Sequence, residues 1–316
     1  MSDRIRLGVS ACLLGQQVRY DGGHKLDHFL VDTLGPYVDY VPVCPEVEAG
    51  FGIPREAWRL VGDPASPRVV TVRTGIDQTE RMLAFVRRRV TELDREGLDG
   101  FVFKSDSPSS GMERVKVYGE DGIPRRSGVG LFAKAFMERF PLLPVEEEGR
   151  LHDPGLRGRF VEAIFALRRW RGALASGRSA RMLVAFHTSH KLLIMSHSVE
   201  HYRKMGKLVA DTKAMPIGAL IAEYQDLFLA ALRLPATPKK QANVLSHMMG
   251  YFKTVLAADE KVELIEAIDR YRSGLFPLVV PLTLIGHYVR KYEEPYLSQQ
   301  VYLNPHPIEL QLRNHA

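Results

Sequence analysis

Two cysteines and one serine-rich loop carry the chemistry this sequence offers. Cys12 follows the short apolar run Leu7-Gly8-Val9, in the stretch Val9-Ser10-Ala11-Cys12-Leu13-Leu14-Gly15. Cys44 follows the run Tyr40 to Val43 and opens Cys44-Pro45-Glu46-Val47-Glu48. A third apolar run, Phe101-Val102-Phe103, leads into Ser105-Asp106-Ser107-Pro108-Ser109-Ser110-Gly111-Met112, with the same layout of strand, polar turn, small residues, proline and glycine. In open α/β sheets ligands gather at the carboxyl ends of strands, so a cysteine there is placed for chemistry. A lone free cysteine is more often a small buried hydrophobe; the shared layout of three loops is what raises these two above that reading. Glu46 is the carboxylate nearest Cys44, and taken alone it reads as a loop carboxylate facing water.

The elements that must position these loops follow from the pattern. Strands are expected at Arg6 to Val9, Tyr40 to Val43, Arg68 to Val72, Gly100 to Lys104, Val115 to Tyr118 and Leu143 to Val145. Helices are expected at His24 to Leu34, Asp77 to Arg95 and Gly128 to Phe140. Asp77 with Glu80 resembles a capping arrangement. Strands alternating with helices imply a largely parallel sheet covered on both faces, with the loops around Cys12, Cys44 and Ser110 meeting at one rim. The charged stretch Glu146-Glu147-Glu148-Gly149-Arg150 marks a junction, dividing an α/β domain at 1–148 from a basic helical domain at 149–316. The expected fold class is therefore an α/β N-terminal domain with a largely parallel sheet, followed by an all-α C-terminal domain.

Composition bounds the answer further. At 45% hydrophobic and 25% charged, the 316 residues are ordinary for a soluble globular protein. Two cysteines leave no disulfide framework and suit a reducing cytoplasm. The start of the chain does not read as a secretory signal. Apolar stretches such as Leu275 to Ile285 are interrupted by prolines and too short to span a bilayer. Net charge is +6, but residues 1–150 carry −2 and residues 151–316 carry +8, with nine of the eleven histidines. A near-neutral front and a basic back imply a polyanionic partner for the second half. Lys191, Arg203, Lys204, Lys207, Lys239, Lys240 and Arg290 are its candidate RNA contacts, Lys239 and Lys240 at a helix start where anions are favoured. His187 and His190 stand at i, i+3, and His197 and His201 at i, i+4. Without a zinc motif they read, with Lys191, as facing phosphate or substrate. Arg168-Arg169-Trp170-Arg171 reads as an RNA clamp or, more often for such a run, as a core tryptophan with arginines at its rim.

Ser10-Ala11-Cys12-Leu13-Leu14-Gly15, Val18-Arg19-Tyr20-Asp21-Gly22, Cys44-Pro45-Glu46-Val47 and Ser107-Pro108-Ser109-Ser110-Gly111 together resemble the thiouracil desulfurase (desulfidase) family, over about residues 5 to 145. The second half resembles a helical domain of formerly unknown function, and the fusion is similar to bacterial tRNA 4-thiouridine desulfidases. The resemblance implies a 4Fe-4S cluster held by three cysteines, with one iron open to the substrate sulfur. Carried over, two ligands are Cys12 and Cys44, and the third falls on Ser110, whose oxygen is harder and poorer for this iron than a thiolate. It also implies Glu46 as general base, Ser107 positioning water or a ring nitrogen, and Asp21 as a further catalytic candidate. The implied reaction converts 4-thiouridine in tRNA to uridine and sulfide without net oxidation, so neither nicotinamide nor flavin is needed. Two alternatives stand beside it: the same chemistry on free thiouracil-type bases, or a non-catalytic RNA-binding protein that has lost its cluster. The expected partner is tRNA, with no membrane and no protein partner identified.

Overall fold

The computed structural model describes residues 4–310, 312 and 313. Positions 1–3, 311 and 314–316 lie outside the described residues; the sequence reads the tail, Tyr296 to Ala316, as an irregular arm with Pro305 and Pro307. The chain divides into two compact units, Met1–Leu156 and Arg157–Ala316.

In the first unit, β1 (Ile5–Ser10) is buried on both faces apart from Arg6, as a central strand must be. It runs parallel to β2 (Val38–Val43) on one side, with Ser10 level with Val43. After β2 comes the one-turn helix α1 (Pro45–Glu48), with Cys44 at its N-cap. Two short strands, β3 (Trp58–Val61) and β4 (Arg68–Thr71), pair antiparallel. Helix α2 (Thr79–Asp94) turns Met82, Phe85, Val86, Val90 and Leu93 into the core. Strand β5 (Gly100–Phe103) then lies parallel to β1 on its other side, and is entirely buried. Next come β6 (Val115–Tyr118), β7 (Pro124–Gly128), α3 (Leu131–Arg139) and β8 (Val145–Glu147), the last parallel to β5.

The strands form two sheets. One is the expected parallel sheet, in the order β2-β1-β5-β8; the other is mixed, in the order β4-β3-β6-β7. The second sheet was not legible because β3 and β7 lack an apolar run. β7 reads Pro-Arg-Arg-Ser-Gly and is exposed over four of its five residues, an edge strand laddered to β6. The expected helix at His24 to Leu34 shrinks to one wide turn, Phe29–Leu34, and α2 starts at Thr79, with Asp77 accepting from the Thr79 N–H at 2.9 Å.

Phe101, Phe103, Phe132 and Phe136 form the centre of this unit, with ring centroids 4.4 to 6.2 Å apart and none exposed to solvent. Burying each contributes roughly 1.5–3 kcal/mol. Gly8 lets β1 pass beside them: a Cβ there would lie 2.2 Å from Phe101 Cδ2.

The second unit is built from helices, as expected. They are α4 (Pro154–Ser176, whose start belongs to the first unit), α5 (Ala180–His197), α6 (Val199–Ala210), α7 (Ile217–Leu232), α8 (Pro238–Met249), α9 (Ala258–Arg272), α10 (Val279–Lys291) and the short α11 (Pro295–Ser298). Ser179, Ser198 and Thr237 cap α5, α6 and α8 through their hydroxyls, each worth about 1 kcal/mol. Ser198 ends α5 and starts α6. Trp170 is the buried hub, stacked on Tyr224 and donating from Nε1 to Gln225 at 2.8 Å, so the core reading of that tryptophan holds. Among the described residues no helix is long and apolar enough to cross a membrane.

Candidate active site

The strand order decides the site. β2, β1 and β5 are adjacent and parallel, so the loops leaving their carboxyl ends share one edge of the sheet. Cys12 lies in the tight turn Ala11–Leu14 directly after β1, and Cys44 is the first residue after β2. The serine loop follows β5, fastened to β1 by the Lys104 N–H donating to Ser10 Oγ at 2.9 Å. Cys12, Cys44 and Ser110 line one cavity of about 410 Å³, together with Arg19, Lys25, Glu46, Arg55, Lys104, Ser107 and Ser109.

The serine loop is held rigidly. Ser107 Oγ accepts the N–H groups of Ser109 and Ser110 at 3.3 and 3.1 Å, and the Gly111 N–H donates to the Ser107 carbonyl at 2.8 Å. Carbonyls of Pro108 and Ser109 accept the first N–H groups of α3, satisfying donors a helix start leaves open. Gly130 allows this docking, because a Cβ there would fall 2.5 Å from the Ser109 carbonyl carbon. The Met112 N–H donates to Glu147 at 2.6 Å and ties the far end of the loop to β8.

Glu46 is fixed from two sides. Ser109 Oγ donates to its Oε1 at 2.7 Å, and Arg55 pairs with its Oε2. Arg55 also donates both terminal nitrogens to the Val18 carbonyl at 3.1 Å, binding the turn after Cys12 to the segment after α1. Since Ser109 gives its proton to Glu46, Ser107 donates to Ser109 Oγ at 3.0 Å, completing a chain from Ser107 through Ser109 to Glu46. Ser107 thus shapes the loop and reaches Glu46 through its neighbour. Asp21 is not part of the cavity wall. Its carboxylate accepts the Gly23 N–H at 3.0 Å, which holds its pKa below the usual range and gives it a turn-forming part in place of the expected catalytic one.

Burial pushes the Cys12 thiol up to about 11, with Cys44 adding to the rise and Lys104 and Arg19 opposing it. Burial raises Cys44 as well. Without a metal, both are neutral thiols at neutral pH. Sequence reasoning missed Arg55, Ser109 and Lys104. Arg55 sits in the irregular stretch after Gly52 and Pro54, where only the fold shows which way a side chain turns. Lys104 pairs with Glu148 and donates to Ser105 Oγ at 3.0 Å.

The donor set tests the implied cluster. Cys12 and Cys44 offer soft sulfur, as such iron requires. Ser110 offers a hydroxyl, and among the described residues no group of three His, Cys, Asp or Glu could hold a metal ion. The residues present are therefore one thiol short of three-cysteine ligation, and they do not fit a cluster held that way.

Of the four histidines singled out in the second unit, three, His187, His190 and His197, are buried. His187 meets Tyr224 OH at 3.2 Å, and His190 accepts from Arg169 Nε at 3.2 Å. Burial pulls them down to about 4 and about 3. His197 contacts Glu162 at 2.7 Å and the Leu234 carbonyl at 2.6 Å, and His201 contacts Ser198 Oγ at 2.9 Å. The phosphate-facing reading is thus corrected for His187, His190 and His197, which are buried on α5, while His201 is half-buried on α6. Lys240 is also committed, its Nζ donating to the carbonyls of His197 and Pro235 at 2.7 and 2.8 Å, where it closes the end of α5. Lys191 lies 4.6 Å over the Tyr296 ring, and Lys204 pairs with Glu200 at 2.7 Å. Arg203, Lys207, Lys239 and Arg290 are exposed.

A parallel sheet whose carboxyl edge gathers thiols, a carboxylate and cations defines a ligand-binding α/β unit. Residues 7–148 match the family model for 2-thiouracil desulfurase, and residues 191–307 match a family described as a protein of unknown function, DUF1722. The uncharacterized protein YbgA of Escherichia coli (strain K12) is 34% identical over 152 residues, spanning 48% of this chain and 90% of that protein. The uncharacterized protein YbbK of Bacillus subtilis (strain 168) is 28% identical over 109 residues, 33% of this chain and 71% of that protein. The solved structure of the [4Fe-4S]-dependent thiouracil desulfidase TudS shares 30% identity, covers 48% of this chain and 95% of its own, and superposes with a TM-score of 0.39. The chain belongs to the 2-thiouracil desulfurase family through its α/β unit, which is joined to a helical DUF1722 domain.

Proposed function

We propose that this protein removes sulfur from 4-thiouridine in tRNA, giving uridine and sulfide by hydrolysis. The observation that carries the proposal is the single cavity where the loops after three neighbouring strands bring Glu46, Arg55 and Ser109 beside Cys12 and Cys44. A cavity of about 410 Å³ is the size of a small-molecule pocket. It takes one pyrimidine ring, so a nucleotide in RNA would enter swung out of its stack.

The protein's own groups account for the proton movements. A carboxylate has about four lone-pair sites, and Ser109 and Arg55 occupy two on Glu46, one on each oxygen. The remaining sites accept a proton from a water that adds to the thiocarbonyl carbon. Once the carbon–oxygen bond has formed, Glu46 hands that proton to the sulfur; the carbon–sulfur bond then breaks, sulfur departs as hydrosulfide, and the second water proton leaves through Glu46 to solvent, with no change in overall oxidation. Arg19 and Lys25 are among the groups lining the cavity and offer cations to that anion.

The RNA part of the proposal is supported by the +8 charge of residues 151–316 and by the exposed Arg203, Lys207, Lys239 and Arg290. Such side chains bind phosphates with steep salt dependence. The pocket's size and the family's thiouracil chemistry favour a second reading, desulfurisation of a free thiolated base.

Both readings are tested by anaerobic incubation of wild-type and Ser110→Cys protein, each supplied with iron and sulfide, with tRNA containing 4-thiouridine and with free 2-thiouracil. Loss of near-ultraviolet thiocarbonyl absorbance from the tRNA supports the first reading. Loss from the free base alone supports the second. Persistence in every mixture overturns both.

A further inference from the structure

We infer that one oxygen-for-sulfur exchange, at Ser110, is all that separates this chain from a complete three-thiol cradle for an iron–sulfur cluster. The inference deepens the desulfidase reading of the same site and takes the identity of the bound group from it.

The three serines of the loop after β5 are not equivalent. Ser107 Oγ accepts two backbone N–H groups, and Ser109 Oγ holds Glu46. Ser110 does neither. Ser110 is 3% exposed, and among the described residues its Oγ has a single contact, at 3.4 Å, with Ser109 Oγ, whose own proton is spent on Glu46. It is the one hydroxyl of the three that does not hold the loop together, and it lines the cavity shared by Cys12 and Cys44.

The backbone at this position is also fixed independently of that hydroxyl. The Ser110 N–H is bound by Ser107, the Gly111 N–H by the Ser107 carbonyl, and the Gly130 N–H by the Gly111 carbonyl at 2.8 Å. A cysteine at 110 would start from the same Cβ and differ by one atom. Arg19 and Lys25 line the same cavity as cations near the thiols, while Arg55 and Lys104 are paired with Glu46 and Glu148. Ligation releases the thiol protons to solvent and changes no oxidation state. A serine oxygen is a hard donor and keeps its proton, so it holds cluster iron far less firmly.

The experiment loads wild-type, Ser110→Cys, Ser110→Ala and Ser109→Cys proteins with equal amounts of ferrous and ferric iron and with sulfide under argon, removes the excess, and measures bound iron and acid-labile sulfide. The rate of iron transfer to a chelator follows. Ser110→Cys should hold iron and sulfide in comparable amounts and release iron at least about tenfold more slowly than wild type. Ser109→Cys, with its thiol one residue away, should bring no gain, and Ser110→Ala should release iron no more slowly than wild type. Adding Cys12→Ala to Ser110→Cys should abolish the gain.

The inference is overturned if Ser110→Cys releases iron as fast as wild type, if Ser109→Cys gains equally, or if retention survives loss of Cys12. A Ser110→Cys protein that fails to fold, judged by circular dichroism, overturns it too, because the cradle then rejects sulfur. Iron retention is read without substrate. A retained cluster with no turnover on any thiolated base would sink the functional reading and leave this one standing.

Discussion

Arg55 and Ser109 leave Glu46 little freedom, and each contributes differently. Arg55 is a nearly buried cation facing a mostly buried carboxylate, with side chains 8% and 17% exposed. Breaking a buried pair by removing one partner costs about 3–5 kcal/mol. Arg55→Ala should therefore lower the melting temperature markedly, by loss of the Val18 anchor as well as of the ion pair. Ser109→Ala removes one hydrogen bond to a charged group, worth about 1.5–3 kcal/mol, and leaves the Arg55 pair intact. Its melting temperature should fall less.

The two thiols supply a second measurement at this scale. Cys12 is raised from 9.0 to about 11 in the fold, and Cys44 is raised too. The folded state thus keeps protons that the unfolded chain gives up. This contribution to stability is complete below pH 9 and fades as pH climbs through about 11. Alkylation of metal-free protein at pH 8 should be slow at both cysteines and rapid after denaturation, as mass spectrometry would show.

At the scale of elements, Phe101 bridges sheet and helix, and Gly8 makes room for it. Gly8→Ala would place a methyl group 2.2 Å from the ring, and overpacking of this kind costs about 1–3 kcal/mol. Phe101→Ala should cost about 3–5 kcal/mol through the cavity it leaves. Denaturant titration of Gly8→Ala/Phe101→Leu, expected to be more stable than the sum of the single changes, tests whether these two residues share one space.

The central strands were legible because Leu7-Gly8-Val9, Tyr40 to Val43 and Phe101-Val102-Phe103 are apolar runs ending in turn residues. Their alternation with helices implied a parallel sheet and with it a shared rim for Cys12, Cys44 and Ser110, while the strand order itself came only from the structure. β7 was not legible, because Arg125 and Arg126 sit on an exposed edge with no apolar side chain to mark a strand. Ser109 was passed over for Ser107 because nothing in Ser107-Pro108-Ser109 says which hydroxyl turns toward Glu46. The docking of that loop onto α3 decides it. Lys240 misled for a related reason: a lysine at a helix start resembles a phosphate ligand until the neighbouring helix end that it closes is seen.

For the molecule as a whole, the histidines set the acid limit of the helical unit. His187 and His190 are pulled down to about 4 and about 3. An unfolded histidine takes up its proton near pH 6.5. Between pH 6.5 and about 4 the unfolded chain binds protons that the folded bundle refuses. The stability they contribute is present above pH 6.5 and is lost on acidification. Thermal melts at pH 7 and pH 5 should show the fall, and His187→Gln should reduce it.

The exposed cations make a separate prediction. If Arg203, Lys207 and Lys239 meet RNA phosphates, each change to alanine should weaken binding. It should also reduce the slope of log affinity against log salt, by roughly 0.7–0.9 for each phosphate left without its cation. Lys240→Ala should instead lower the melting temperature, because its ammonium closes α5.

The order β2-β1-β5 has an evolutionary consequence. Each donor position lies on its own loop, outside the sheet that holds all three in place. Both groups of serine codons include members a single base away from cysteine. A lineage carrying this scaffold can therefore cross between thiol and hydroxyl at the rim by point mutation, leaving the hydrophobic core untouched by selection on the metal.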